Sequence, residues 1–133
     1  MLKIERLEVK EKSGRCLLKD ISMEIPAGQI IGLTGQSGAG KTTLLRSILG
    51  MLHTNCSISA GTILLDDVDV SILSRKAHRE LCGKRLGFIP QNPMTAFDSR
   101  LKIGYQMEET FINRLYLNRD DAKALAKKYL IAV

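Results

Sequence analysis

Tryptophan is absent from this sequence, and three tyrosines with three phenylalanines are its only aromatic residues. An interior or binding face built mainly on stacked rings is excluded, so burial must come from Leu, Ile, Val and Met. Cys16, Cys56 and Cys82 stand far apart, with no C-x-x-C pair. That pattern gives neither a disulfide framework nor a zinc site, and it fits a reducing compartment. No low-complexity tract or internal repeat is present. No apolar run approaches the length needed to cross a bilayer, and "MLKIERLEVKEK" lacks the apolar centre of a signal peptide. A cytoplasmic chain is expected, reaching a membrane only through a partner. The net charge of +6 admits phosphate-rich partners, but the basic residues are spread from Lys3 to Lys128. Without a nucleic-acid-binding signature they read as a solvated surface, and no nucleic-acid partner is expected.

What is present begins with two partly alternating segments, "LKIERLEVK" and "LLKDISMEI", which predict strands of a half-exposed sheet. After the turn "PAG", "QIIGL" (Gln29 to Leu33) is nearly continuously apolar, as a parallel strand buried on both faces requires. From Lys41 the spacing turns helical, with Leu44, Leu45, Ile48, Leu49 and Leu52 on one side. "HTNCSISAG" reads as a loop and "TILLDDVDV" as a strand with a turn at Asp66-Asp67. Ser74 can cap a helix running to about Cys82, and "RLGFI" reads as another short strand halted at Pro90. Ile103, Met107, Phe111 and Leu115 recur at helical spacing, and Asn118 with Asp120 and Asp121 marks the start of a last helix through Leu130.

Gly35, Gln36, Ser37, Gly38, Ala39, Gly40, Lys41 and Thr42 satisfy G-x-x-x-x-G-K-[ST] in full. The pattern follows an apolar strand and opens a helix, the context its chemistry demands. Its glycines let the backbone wrap an anion, and the helix start adds unpaired N–H groups and a positive dipole end. Lys41 can reach the β- and γ-phosphates of a nucleotide, Thr42 can ligate Mg²⁺, and Thr43 can donate on the α-phosphate side. Nucleotide binding is the reading, against a plain glycine-rich turn.

A hydrolase also needs a carboxylate near the metal and a group that positions water. "ILLDD" tempts as that carboxylate strand, but only some twenty residues separate it from the loop and "VDV" follows at once. It reads better as a hairpin whose acids face water. His53 and His78 are isolated and read as surface histidines. Gln91 differs: it stands between Pro90 and Asn92-Pro93, where a glutamine on a stiffened turn can reach a metal or an attacking water.

Together, "LKDISMEIPAGQIIGLTGQSGAGKTTLLRSILGML", "GTILLDD" and "GKRLGFIPQNPMTAF" resemble the first half of an ATP-binding cassette (ABC) transporter ATPase in order and spacing. "IPQNPMTAFDSRLKIGYQMEE" is similar to the subgroup that imports oligopeptides, dipeptides and nickel. The resemblance implies an α/β fold: a P-loop NTPase core with an antiparallel β-subdomain and the start of a helical subdomain, a truncated ABC ATPase domain. Residues 1–90 would hold the β-subdomain and P-loop core, and residues 91–133 the Q-loop and the start of the helical subdomain. ATP and Mg²⁺ are the implied cofactors, held by Gly35 to Thr43, with Thr42 and Gln91 on the metal. Gln91 would be the Q-loop glutamine, touching metal and attacking water. The Met94-to-Arg100 stretch would lie near the coupling helix of a membrane subunit, and a second ATP-binding subunit would pair head to tail.

The family's adenine-stacking aromatic belongs near Glu11 to Leu18, where "EKSGRCLL" offers none. An LSGGQ-like signature, a second apolar strand ending in Asp-Glu and a switch histidine are not among these residues. The expectation is therefore the N-terminal part of an importer ATPase, cut inside the helical subdomain, that grips ATP with negligible hydrolysis. A non-catalytic nucleotide-binding module or a decayed remnant is the alternative. A small P-loop kinase or GTPase would need a lid arginine cluster or an N-K-x-D motif, and neither is visible.

Overall fold

Strand β1 (Leu2–Glu11) carries Ile4, Leu7 and Val9, all buried, at a spacing of three and then two. Strict alternation would put Ile4 and Leu7 on opposite faces. The computed structural model resolves the conflict with a bulge: Arg6 turns to φ +48 and the pairing register shifts between Glu5 and Glu8. Strand β2 (Cys16–Ile25) uses the same device, with Asp20 at φ +51 between Leu18 and Ile21. Strands β3 (Cys56–Leu65) and β4 (Val68–Asp69) complete an antiparallel sheet in the order β2-β1-β3-β4. The structure describes residues 1–82 and 84–132, and only the backbone of Pro93 and Thr95. Val133, the end of the 91–133 segment, lies outside the described residues.

Helix α1 (Lys41–Ile48) lays Leu44 and Ile48 against Ile4, Leu7, Val9, Leu18, Ile63 and Val70. It ends before the expected Leu52. Gly50, at φ +63, donates to the Ser47 carbonyl at 3.2 Å and Met51 donates to Arg46 at 2.8 Å, a Schellman ending. A 3-10 turn (Val70–Ile72) leads to helix α2 (Arg75–Leu81), where the Ser74 hydroxyl accepts from the Ala77 amide as the cap reading expects.

His78 departs from its surface reading: it is 7 % exposed, and its Nε2 donates to the Ile48 carbonyl at 3.1 Å. Its ring lies where a Cβ on Gly50 would stand, 2.5 Å away, so the glycine that ends α1 also makes room for the histidine. Strand β3 likewise begins inside the expected loop, because Cys56 to Ala60 pair along Glu8 to Glu11.

The buried strand expected at Gln29–Leu33 and the short strand expected at "RLGFI" do not form. Residues 29–34 and 87–89 lie outside any strand, with Ile30 fully exposed and Ile89 91 % exposed. A strand is held by a hydrogen-bonded ladder; Gln29–Leu33 has no strand partner among the described residues, and "RLGFI" has only an isolated bridge at Leu86. Asp66 and Asp67 form the expected hairpin turn, where Asp66 accepts from the N-terminal ammonium. All three cysteines are free thiols.

The chain forms two compact units, the first being Met1–Cys82. The second contains a 3-10 turn (Pro93–Ala96) and a helical hairpin of α3 (Ile103–Leu115) and α4 (Arg119–Ile131). The Asn118 side chain accepts from the Asp121 amide at 2.9 Å, the cap read from sequence. Ala122 and Ala126 are buried, and the rings of Phe111 and Tyr129 sit 5.9 Å apart. No described helix is long and apolar enough to cross a membrane.

Candidate nucleotide-phosphate site

The loop from Gly35 to Ala39 runs exposed from the unpaired "QIIGL" segment toward α1, and Gly40 is half-buried. Ala39 donates to the Gln36 carbonyl at 3.2 Å, closing the turn. Gly40 is the N-cap of α1 at φ +91 and offers no side chain to the helix start. A Cβ there would also stand 2.6 Å from Leu18 Cδ2 and 3.3 Å from the Leu17 carbonyl. Glycine is thus required by both conformation and space, and strand β2 fixes the depth of the loop. Leu17 and Leu18 were not singled out from sequence. The absence of a side chain at Gly40 was the only hint that something packs there.

The first turn of α1 holds no acidic residue to compete with a bound anion, and no side chain caps it. Lys41 folds back over the loop, its Nζ donating to the carbonyls of Gly35 and Gln36 at 2.7 Å each. An ammonium has three N–H donors; two close the loop and the third remains for a phosphate oxygen. The Thr42 side chain is exposed one residue into the helix, and Thr43 is half-buried, its carbonyl accepting from Ser47 Oγ at 2.8 Å. The residues from Gly35 to Thr43 therefore form one local site. Gln91 belongs to the second unit, exposed at a bend after Pro90. Met94 to Arg100 follow it, and the Thr95 side chain lies outside the described residues.

Residues 18–131 match the family model described as ABC transporter. The chain belongs to the ABC transporter family. Similar proteins include the oligopeptide transport ATP-binding protein OppD of Lactococcus lactis subsp. cremoris, 34 % identical over 68 % of this chain and 27 % of that protein. The peptide transport system ATP-binding protein SapD of Haemophilus influenzae is 32 % identical over 85 % of this chain and 33 % of its own length. The oligopeptide transport ATP-binding protein AmiE of Streptococcus pneumoniae is 32 % identical over 85 % of this chain and 32 % of its length. The chain thus spans about a third of the curated relatives it matches.

A solved dimeric structure of the ATP-binding cassette MJ0796, in a post-hydrolysis state bound to ADP and Pi, shares the fold. It superposes with a TM-score of 0.80 at 18 % identity, over 96 % of this chain and 55 % of that one. The α/β architecture of an ABC ATPase, with its antiparallel β-subdomain, is therefore the fold of this chain.

Proposed function

We propose that this chain is part of the ATP-binding subunit of an ABC importer for dipeptides or oligopeptides. The observation that supports it most is the Lys41 ammonium seated on the loop carbonyls at the uncapped start of α1. Gly35, Gln36, Ser37, Gly38, Ala39 and Gly40 wrap the phosphates of ATP, Lys41 supplies the cation, and Thr43 donates on the α-phosphate side. Mg²⁺ fits this donor set, because the Thr42 hydroxyl is exposed beside the loop and the ion keeps few protein ligands. Thr42 would hold it, with Gln91 as the further ligand that the family resemblance implies, and the ion would supply charge neutralisation to the phosphates. Gln91 positions the attacking water. Resemblance alone left peptides and nickel open; relatives named for peptide and oligopeptide transport favour peptides.

In the assembled importer, the Met94–Arg100 segment meets a membrane subunit and a second ATP-binding subunit pairs head to tail. The site lies at the cytoplasmic face of the membrane. Dimerisation draws support from the solved cassette, which is itself dimeric.

Binding and hydrolysis separate in this chain. The acids of "ILLDD" stand in a hairpin turn, with Asp66 engaged by the N-terminal ammonium. Purified protein is therefore expected to turn over MgATP no faster than its Lys41→Ala variant in a phosphate-release assay. Turnover clearly above that control would overturn the separation.

A further inference from the structure

Asp98 has every polar group committed. Its amide donates to Gln106 Oε1 at 2.9 Å, and its carbonyl accepts from Gln106 Nε2 at 2.9 Å and from the Leu101 amide at 3.1 Å. Its carboxylate takes the Arg100 amide and Nε at 3.0 Å each and Arg100 Nη2 at 2.7 Å. The side-chain hydrogen bond from Arg100, with the backbone bond beside it, holds the Asp98 carboxyl below its ordinary range. Gln106 Nε2 also donates to the Leu101 carbonyl at 3.1 Å.

One side-chain amide thus pairs with both the N–H and the C=O of Asp98, as a neighbouring strand would. Its orientation is fixed by need: Asp98 N–H requires an acceptor, while two carbonyls require donors. Gln106 closes the first turn of α3, whose N-cap Lys102 makes no side-chain capping bond. It therefore ties the loop from Asp98 to Leu101 onto that helix start. The loop so held follows Met94, 70 % exposed, and an exposed Phe97. Polar groups are turned inward to one glutamine while apolar side chains are left outward.

We infer that Gln106 is a positioning residue, which fixes the Met94–Arg100 segment in the shape that meets the membrane subunit. The inference rests on the docking role proposed above for that segment. Gln106 acts through the Asp98 backbone. No other residue type satisfies the three bonds: leucine fills the space without bonding, and a glutamate carboxylate would accept from Asp98 while repelling the two carbonyls. Protonation of that introduced carboxyl restores one donor. The carbonyls favour its neutral form and the Asp98 N–H its charged form, so protection should follow that carboxyl's titration.

The test is amide hydrogen exchange of the 133-residue chain as wild type, Gln106→Leu and Gln106→Glu. It is joined to capture by the membrane subunits of an oligopeptide importer in nanodiscs. Loss of the paired bonds is expected to lower protection at Asp98 about tenfold or more in Gln106→Leu, with the α4 amides near Ala126 unchanged. Gln106→Glu should lose protection at pH 8 and regain it as the pH falls through the introduced carboxyl's pKa. Capture should weaken by a similar factor in Gln106→Leu. Equal Asp98 protection in all three proteins overturns the clamp. Lost protection with undiminished capture overturns the positioning role. A parallel Met94→Asp variant separates the two failures: if it too is captured normally, the docking reading itself has failed.

Discussion

Replacing Lys41 with alanine is expected to weaken MgATP binding by about one to two orders of magnitude, the range for a lost charge-assisted hydrogen bond. The substitution removes the cation over the loop and both 2.7 Å bonds that tie Gly35 and Gln36 to the helix start. The loop is exposed, so the released carbonyls turn to water and leave no buried polar group behind. Alanine is also a better helix former than lysine, so α1 itself is not weakened. Affinity should fall while the melting temperature stays nearly constant. Calorimetric titration of both proteins, with a thermal melt of each, reads the two quantities separately. Lys41→Arg should recover only part of the loss, because a planar guanidinium cannot seat on two carbonyls and still direct a donor outward as a compact ammonium does.

The largest loss of stability is expected at Gly61, far from the loop in sequence. It stands opposite the β1 bulge at φ +83, and a Cβ there would lie 2.4 Å from the Arg6 carbonyl oxygen and 2.5 Å from that of Glu5. Those atoms are backbone, and they are flanked by Leu7 and Ile63, which are fully buried. Neither strand can move aside without unseating the sheet from α1. Gly61→Ala should therefore cost about 3 kcal/mol, left-handed strain adding to overpacking. For a unit of this size that is a fall in melting temperature of roughly 12 to 24 °C. Gly32→Ala is the control: a Cβ at Gly32 meets nothing within 4 Å, and the change should stay within about 0.5 kcal/mol. Equal melting of the two variants would contradict the bulge-and-glycine pairing.

Features set by neighbouring residues were readable from sequence. The caps at Ser74 and Asn118, the Asp66-Asp67 turn and the loop entering α1 each depend on a few adjacent side chains. What escaped depends on distant partners. Ile30, Ile31 and Leu33 signal a demand for burial, but their spelling cannot say whether a ladder partner stands beside them. Cys56 to Ala60 have the composition of a loop and become strand because β1 runs alongside. His78 sits among Arg75, Lys76, Arg79 and Glu80, which look like a solvated face, yet its own ring points to the gap at Gly50.

The candidate site divides along the same line. Gly35 to Thr43 were legible because the loop, the cation and the helix start are contiguous, whereas Leu18 beneath Gly40 arrives from another strand. Gln106 carries no motif of its own. Only its three bonds back to the Asp98 and Leu101 backbone single it out.

The central claim is that this loop holds nucleotide phosphate. Titrating MgATP into isotopically labelled protein and following its backbone amide resonances tests it most directly. The largest shifts should fall on Gly38, Gly40, Lys41 and Thr42, saturate together at one nucleotide per chain, and shrink in Lys41→Ala. Loop amides that stay still at nucleotide concentrations that move resonances elsewhere would contradict the account.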